Sequence, residues 1–149
     1  MSYKVNEIQI SYKEKIRTLQ SKPIKSSEDV AQVLFKNWDF QTIGLHESFK
    51  VLLLNNSNKI KGIYQLSSGG ITGTIVDLRI LFALALKTLS VAIILAHNHP
   101  SSKLQPSESD KLLTDKIVNA AKLLDIKVLD HIILTPDKQY FSFADNGLL

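Results

Sequence analysis

The feature that most constrains this chain is an apolar run, Val91–Ala96, which leads directly into His97, His99 and Pro100. If the run is a strand, both histidines project to the same side, because strand side chains alternate with a period of two. Pro100 cannot donate a hydrogen bond to a neighbouring strand, so we expect the strand to end there. The two imidazoles are therefore predicted at the carboxyl end of the strand.

A second group of polar residues follows shortly after this strand. Seven residues separate His99 from Ser107, and Asp110 follows three positions later, at the start of a predicted helix over 107–124. Two imidazoles and a carboxylate form a plausible zinc site, and three protein ligands leave a position open for water. The four residues from Ser107 to Asp110 are equally typical of a helix capping box. The spacing alone leaves both interpretations open.

The complete pattern resembles the signature of the JAMM metallopeptidases, which have an MPN-plus domain. The flanking residues 95–101 and 129–133 resemble the bacterial RadC-like branch of that family. The resemblance extends from about Glu47 to the C-terminus and thus covers most of the chain. It implies an α/β, cytidine-deaminase-like three-layer fold, in which helices flank a mixed central sheet.

The resemblance also implies a site and an activity. Zinc would be held by His97, His99 and Asp110, Glu47 would act as the general base, and Ser107 would support the oxyanion. The implied reaction is hydrolysis of a peptide or isopeptide bond in a peptide or protein substrate by metal-activated water. The alternatives are a non-catalytic protein associated with DNA repair and an oligomerising scaffold with a structural metal site.

Two departures from the family affect substrate and DNA contacts. The loop 101–105 lacks the glycine that usually follows the histidine motif, so we expect its substrate contacts to differ. Longer RadC-like proteins carry a helix-hairpin-helix element for DNA, but Gly44 is the only glycine among residues 1–45. An association with DNA repair is therefore expected to be indirect.

Composition excludes several classes of protein. The chain has no cysteine, which excludes disulfides, thiolate metal ligands and the Pro-Cys-x-x-Cys signature of zinc nucleobase deaminases. Residues 1–25 contain six basic and two acidic side chains. A solvated surface is favoured there over nucleic-acid binding, because the aromatic interleaving that stacks bases is lacking. With no signal-peptide pattern and only short apolar runs, we expect a cytoplasmic protein without a membrane association.

The chain divides into two predicted parts. Residues 1–40 are expected to form a strand–helix extension that packs on the main domain, pairs with the edge of its sheet, or pairs with another subunit in a homo-oligomer. Residues 41–149 form the RadC-like domain. The extension is predicted as a strand over 4–13 and a helix from Ser26 to about Trp38. The main domain is predicted as a hairpin over 47–66, an edge strand or loop over 71–76, a helix over 78–88 and strands over 91–97, 126–134 and 140–143.

Three further predictions concern single elements. The helix over 78–88 is apolar nearly all round, so we expect it to be buried. Arg79 lies in its first turn, where a cation opposes the helix dipole, and a structural ion pair is the favoured explanation. Asp130 and His131 interrupt an apolar strand. They either support the metal site or satisfy loop backbone, and both possibilities stay open.

Overall fold

The computed structural model describes residues 3–15, 17–70 and 75–149. Within these ranges the chain forms three α-helices, five β-strands and one 3₁₀ helix, Thr18–Gln20. The helices are α1 (Ser27–Lys36), α2 (Leu78–Lys87) and α3 (Glu108–Leu123). The strands are β1 (Ser48–Leu54), β2 (Ile60–Ser68), β3 (Ala92–Asn98), β4 (Lys127–Leu134) and β5 (Tyr140–Ser142). No helix in the described ranges is both long and apolar enough to cross a membrane.

The five strands form one mixed sheet in the order β2-β1-β3-β4-β5. The pair β3 and β4 is parallel and is joined through α3, whereas the other three neighbouring pairs are antiparallel. A parallel pair needs a crossover connection, and α3 supplies it. The carboxyl end of β3 and the amino end of α3 are therefore adjacent along the chain, at the same edge of the sheet.

Helices cover both faces of the sheet. On one face Val30 and Leu34 of α1, with Trp38 just beyond the end of the helix, contribute to a core that includes side chains of β1, β3 and β4. On the other face α2 and α3 pack against alternate side chains of β1 and β3, such as Phe49 and Ile93. This arrangement confirms the predicted α/β class and the three-layer architecture with a mixed central sheet.

Side chains at the helix starts behave as their spacing predicts. The Ser26 hydroxyl accepts a hydrogen bond from the Asp29 amide at 3.2 Å, which caps α1. Asp77 caps α2 by accepting a hydrogen bond from the Arg79 amide. Its carboxylate also forms an ion pair with the Arg79 guanidinium, in which Nη2 and Oδ2 lie 2.9 Å apart. The exposed Arg79 side chain thus has its anionic partner two residues away, and the predicted structural ion pair is confirmed.

The predicted strand over 4–13 is wrong. The structure has no regular secondary structure there, and Ile8 and Ile10 are largely exposed. Alternating apolar residues produce a strand only when a neighbouring strand supplies hydrogen bonds, and no strand within the described ranges pairs with this segment. Of the prediction over 71–76, residues 71–74 lie outside the described residues.

The prediction that α2 is buried is confirmed for only one side of the helix. Leu81, Phe82 and Ala85 face the sheet and are buried, whereas Ile80 and Leu86 are about half exposed. The helix lies in an outer layer, so only the side that contacts the sheet is covered. Apolar composition does not by itself distinguish an outer-layer helix from one enclosed by protein.

Candidate metal centre

Two buried histidines mark the carboxyl end of β3. His97 and His99 project to the same side, as the period of two requires, and are 2% and 8% exposed. Their Nε2 atoms lie 3.0 Å apart. The strand ends at Asn98, one residue before His99. The structure therefore places the histidine pair where the sequence predicted it, at the end of a fully buried strand.

Asp110, in the first turn of α3, completes a triangle with the two histidines. Its Oδ2 lies 3.4 Å from His97 Nε2 and 3.3 Å from His99 Nε2. The ligand atoms of these three residues all lie within 4.8 Å of one another, so the group could hold a metal ion. A tetrahedral zinc ion with bonds of roughly 2.0–2.1 Å keeps its ligands about 3.3 Å apart. The separations fit such an ion. We call His97, His99 and Asp110 the histidine cluster.

Asp110 is also part of a complete capping box. The Ser107 hydroxyl accepts from the Asp110 amide at 3.0 Å, and Asp110 Oδ2 accepts from the Ser107 amide at 2.8 Å. The oxygen that faces the two imidazoles is the same oxygen that closes the box. The capping box and the metal site that the sequence left open are therefore compatible. The cap holds the Asp110 carboxylate next to the Nε2 atoms of both histidines.

The electrostatics of the histidine cluster favour an ionised carboxylate. Burial raises the pKa of the Asp110 carboxyl, but the rings of His97 and His99 lower it by more, so its pKa lies well below the usual range. Burial lowers the pKa of His99, whereas Asp110 and the Lys103 carbonyl raise it by more. His99 Nδ1 lies 2.6 Å from that carbonyl oxygen, which can only accept. In neutral His99 the proton is therefore on Nδ1, and Nε2 is free to bind a cation.

Glu47 reaches the same edge through the pairing of β1 with β3. Phe49 pairs with His97 in antiparallel register, so two residues earlier Glu47 precedes β1 beside the end of β3. Burial raises the pKa of the Glu47 carboxyl, and the nearby charges of His97 and His99 lower it in part. Glu47 thus lies within electrostatic reach of the histidine cluster. Its role as a base stays a prediction.

Asn98, between the two histidines, holds the backbone on both sides of Glu47. Its Oδ1 accepts from the Ser48 amide at 2.8 Å, and its Nδ2 donates to the His46 carbonyl at 2.9 Å. Nδ2 also donates to the Ile43 carbonyl at 2.7 Å. Sequence analysis missed this residue. The available signal was an amide side chain on the opposite side of the strand from the histidines.

Ser107 lies at the rim of the centre and is exposed. Its oxygen accepts the helix-capping bond from the Asp110 amide. A hydroxyl has two acceptor lone pairs and one proton, so the proton of Ser107 is free for a further partner. The same hydroxyl can therefore cap the helix and donate to a substrate. Donation to a substrate stays a prediction.

The Asp130 and His131 side chains point to opposite faces of β4 and have different hydrogen-bond partners. His131 Nε2 lies 2.8 Å from His97 Nδ1, so His131 contacts a member of the histidine cluster. Asp130 instead accepts from the Ser142 hydroxyl at 2.6 Å and from the amides of His131 and Ala144 at 2.7 and 3.0 Å. We call Asp130, Ser142 and these two amides the aspartate cluster. His131 thus contacts the histidine cluster, whereas Asp130 satisfies backbone amides.

Thr114 is a further buried polar residue that sequence analysis missed. Its hydroxyl lies 2.7 Å from His131 Nδ1 and 2.7 Å from the Asp110 carbonyl oxygen. It is 1% exposed, on the face of α3 that packs against the sheet. Its spacing of four residues after Asp110 was the available signal, because that spacing places both on one side of a helix.

Comparisons with known proteins agree on one family. The model of the RadC-like JAB domain matches residues 24–148. A UPF0758 protein of Flavobacterium johnsoniae is 54% identical over 103 residues, which cover 69% of this chain and 44% of that protein. A UPF0758 protein of Porphyromonas gingivalis is 50% identical over 103 residues, 69% of this chain and 45% of that protein. UPF0758 protein YeeS of Escherichia coli K12 is 45% identical over 103 residues, 69% of either chain. The chain spans about half the length of the first two relatives.

Proposed function

The chain belongs to the RadC-like JAB domain family, and from this premise we propose that it is a zinc-dependent metallohydrolase acting on a peptide or isopeptide bond. The observation that carries the proposal is the convergence of His97 Nε2, His99 Nε2 and Asp110 Oδ2 at separations of 3.0, 3.3 and 3.4 Å. Three ligands of this kind suit a catalytic zinc site, because a fourth position remains for water or substrate.

The three members of the histidine cluster would hold the ion. A bound zinc ion would lower the pKa of its water molecule to about 7 and would polarise the carbonyl group of the substrate. The capping box keeps the Asp110 carboxylate in place, and the Lys103 carbonyl keeps the proton of His99 on Nδ1. These contacts hold the ligand atoms ready, so little reorganisation accompanies metal binding.

Two other side chains supply the remaining roles. Glu47 takes a proton from the attacking water and then donates it to the departing amine, and burial, which raises its pKa, suits it to both steps. Ser107 donates its free hydroxyl proton to the oxyanion. Removing a donor of this kind usually costs about 10²- to 10³-fold in kcat. The hydrogen bonds of Asn98 fix the backbone from which Glu47 projects.

Metal content of the purified chain is the first test. We expect zinc near one equivalent by elemental analysis, and its loss in both His97→Ala and Asp110→Asn. His46→Ala is the matched control, because His46 lies outside the histidine cluster. A folded, zinc-supplemented protein that holds no metal would contradict the proposal.

Turnover tests the assignment of Glu47. With zinc-loaded protein and a panel of peptides and lysine-linked isopeptides, Glu47→Gln should keep zinc and lose about 10²- to 10⁴-fold in rate, the usual contribution of a general base. Glu28→Gln, on the exposed side of α1, should retain the wild-type rate. Wild-type turnover in Glu47→Gln would remove Glu47 from the mechanism.

A further inference from the structure

We propose that His131 and Thr114 are positioning residues that fix the proton of His97 on Nδ1, so that His97 presents an unprotonated Nε2 to the metal. The inference rests on the proposed function, because it assigns roles within the same metal centre. It follows from a chain of three short hydrogen bonds, each of which needs one proton. The chain runs from the backbone of one ligand residue, Asp110, to the ring of another, His97.

The direction of the chain is set at its threonine end. Thr114 Oγ1 lies 2.7 Å from the Asp110 carbonyl oxygen. Two oxygen atoms at that distance need a proton between them, and only the threonine hydroxyl has one. Thr114 therefore donates to Asp110 and can only accept from the other neighbour of its oxygen. That neighbour is His131 Nδ1, at 2.7 Å, which must carry the proton.

The position of the proton on His131 then determines the position of the proton on His97. His131 is fully buried between Phe49 and Phe143, and its two ring nitrogens contact a threonine hydroxyl and a histidine rather than a carboxylate. An unpaired charge is costly in such a place, so the ring is neutral and holds a single proton. With that proton on Nδ1, His131 Nε2 can only accept. It lies 2.8 Å from His97 Nδ1, which therefore donates. Neutral His97 is left with an unprotonated Nε2, directed at His99 and Asp110.

Aromatic packing holds the rings of this chain in place. His131 stacks on Phe143 with ring centroids 4.5 Å apart and meets the edge of Phe49 at 5.5 Å. His97 stacks on the same Phe49 at 5.8 Å. Histidine ligands of metals usually donate their second nitrogen to a carboxylate, a carbonyl or water, and such partners tune metal affinity. Here a second imidazole, itself oriented by a threonine, takes that place.

Metal affinity of three variants tests the role of Thr114. Thr114→Val should weaken zinc binding about 10- to 100-fold in competition with a chelator, the usual effect of removing an outer partner. Thr114→Ser keeps the hydroxyl and should restore affinity to near the wild-type value. Thr88→Val is the matched control, because Thr88 donates to the carbonyl four residues earlier, as Thr114 does, without contacting a histidine. Wild-type affinity in folded Thr114→Val would overturn the proposal.

The tautomer of His97 is measured in the wild-type chain itself. In metal-free protein at a pH well above 6.5, ¹⁵N correlation spectra of the imidazoles should show the proton on Nδ1 in both His97 and His131. Protonated Nε2 on His97 would overturn the proposal even if Thr114→Val failed to fold. The expected tautomers in a protein that binds no zinc would support the hydrogen-bond chain but contradict the proposed function, so the two failures are distinguishable.

Discussion

Two polar clusters lie beside β4, one built around Asp130 and the other in contact with His131, and they differ in how their hydrogen bonds are completed. In the aspartate cluster, the carboxylate of Asp130 receives three donors, the Ser142 hydroxyl and the amides of His131 and Ala144. In the histidine cluster, the ring nitrogens of His97 and His99 face each other and the Asp110 carboxylate. The first arrangement is complete within the chain, and the second is suited to a cation.

The pKa directions of the two carboxyls reflect this difference. Burial raises the pKa of Asp130, and its hydrogen bonds lower it only in part. For Asp110, the imidazoles of His97 and His99 outweigh burial, and the pKa falls well below the usual range. Burial raises the pKa of both carboxyls, but the net results are opposite, because one carboxylate meets neutral donors and the other meets groups that can be positively charged. This difference is consistent with a structural role for Asp130 and with the proposed role of Asp110 as a metal ligand.

The largest expected contrast is in metal affinity. Asp110→Asn removes a ligand charge and should weaken zinc binding by more than about 100-fold, beyond the usual effect of an outer partner. Asp130→Asn changes the same chemical group outside the metal centre and should bind zinc as wild type does. Competition with a chelator measures both. An equal loss of zinc affinity in the two variants would contradict the view that only the histidine cluster binds the metal.

Stability of the metal-free protein should show the reverse order. Asp130→Ala leaves a buried hydroxyl and two amides without their acceptor, and each such group costs about 1–3 kcal/mol. We expect a loss of roughly 3 kcal/mol in the free energy of unfolding. Asp110→Ala removes one side of a capping box and should cost only about 1 kcal/mol. Urea unfolding in the presence of a chelator gives both values, and a larger loss for Asp110→Ala would contradict this ranking.

The smallest expected effect is a difference in pH dependence. Because its folded pKa is raised above 3.8, Asp130 contributes less stability as the pH rises through that folded value. The folded pKa of Asp110 is lowered, so its contribution is present above 3.8 and is lost as the pH falls through the folded value. Relative to wild type, metal-free Asp130→Asn should therefore gain stability with rising pH and Asp110→Asn should lose it. Urea titrations above and below pH 3.8 test this, and slopes of equal sign would refute it.

Much of the fold was predictable from local patterns, and the errors have identifiable causes. The sequence predicted α3 as a helix over 107–124, and it spans Glu108–Leu123, because a cap and an apolar stripe are properties of one segment. The strand over 4–13 failed because a strand depends on a partner that the segment itself does not supply. The exposed side of α2 was not predictable, because composition does not indicate which layers cover a helix.

The residues of the candidate site also divide into those that the sequence predicted and those that it did not. Spacing alone placed His97 and His99 on one side of a strand, whereas Glu47 was singled out only through a family resemblance. Thr114 and Asn98 were missed, since each acts through contacts with residues distant in sequence or with backbone groups. Spacing could place each residue on one side of its helix or strand, but it could not identify those contacts.

The sequence by itself determined helix α3 with its cap and the direction of the histidine pair, because each depends on residues only a few positions apart. Only the tertiary structure decided that Asp110 Oδ2 both closes the cap and meets the two imidazoles. It also decided that His131, rather than Asp130, contacts the histidine cluster. The physical reason is that hydrogen bonding depends on distances and angles to within a few tenths of an ångström. Those are set by sheet register and helix packing, which the spacing of residues along the chain leaves open.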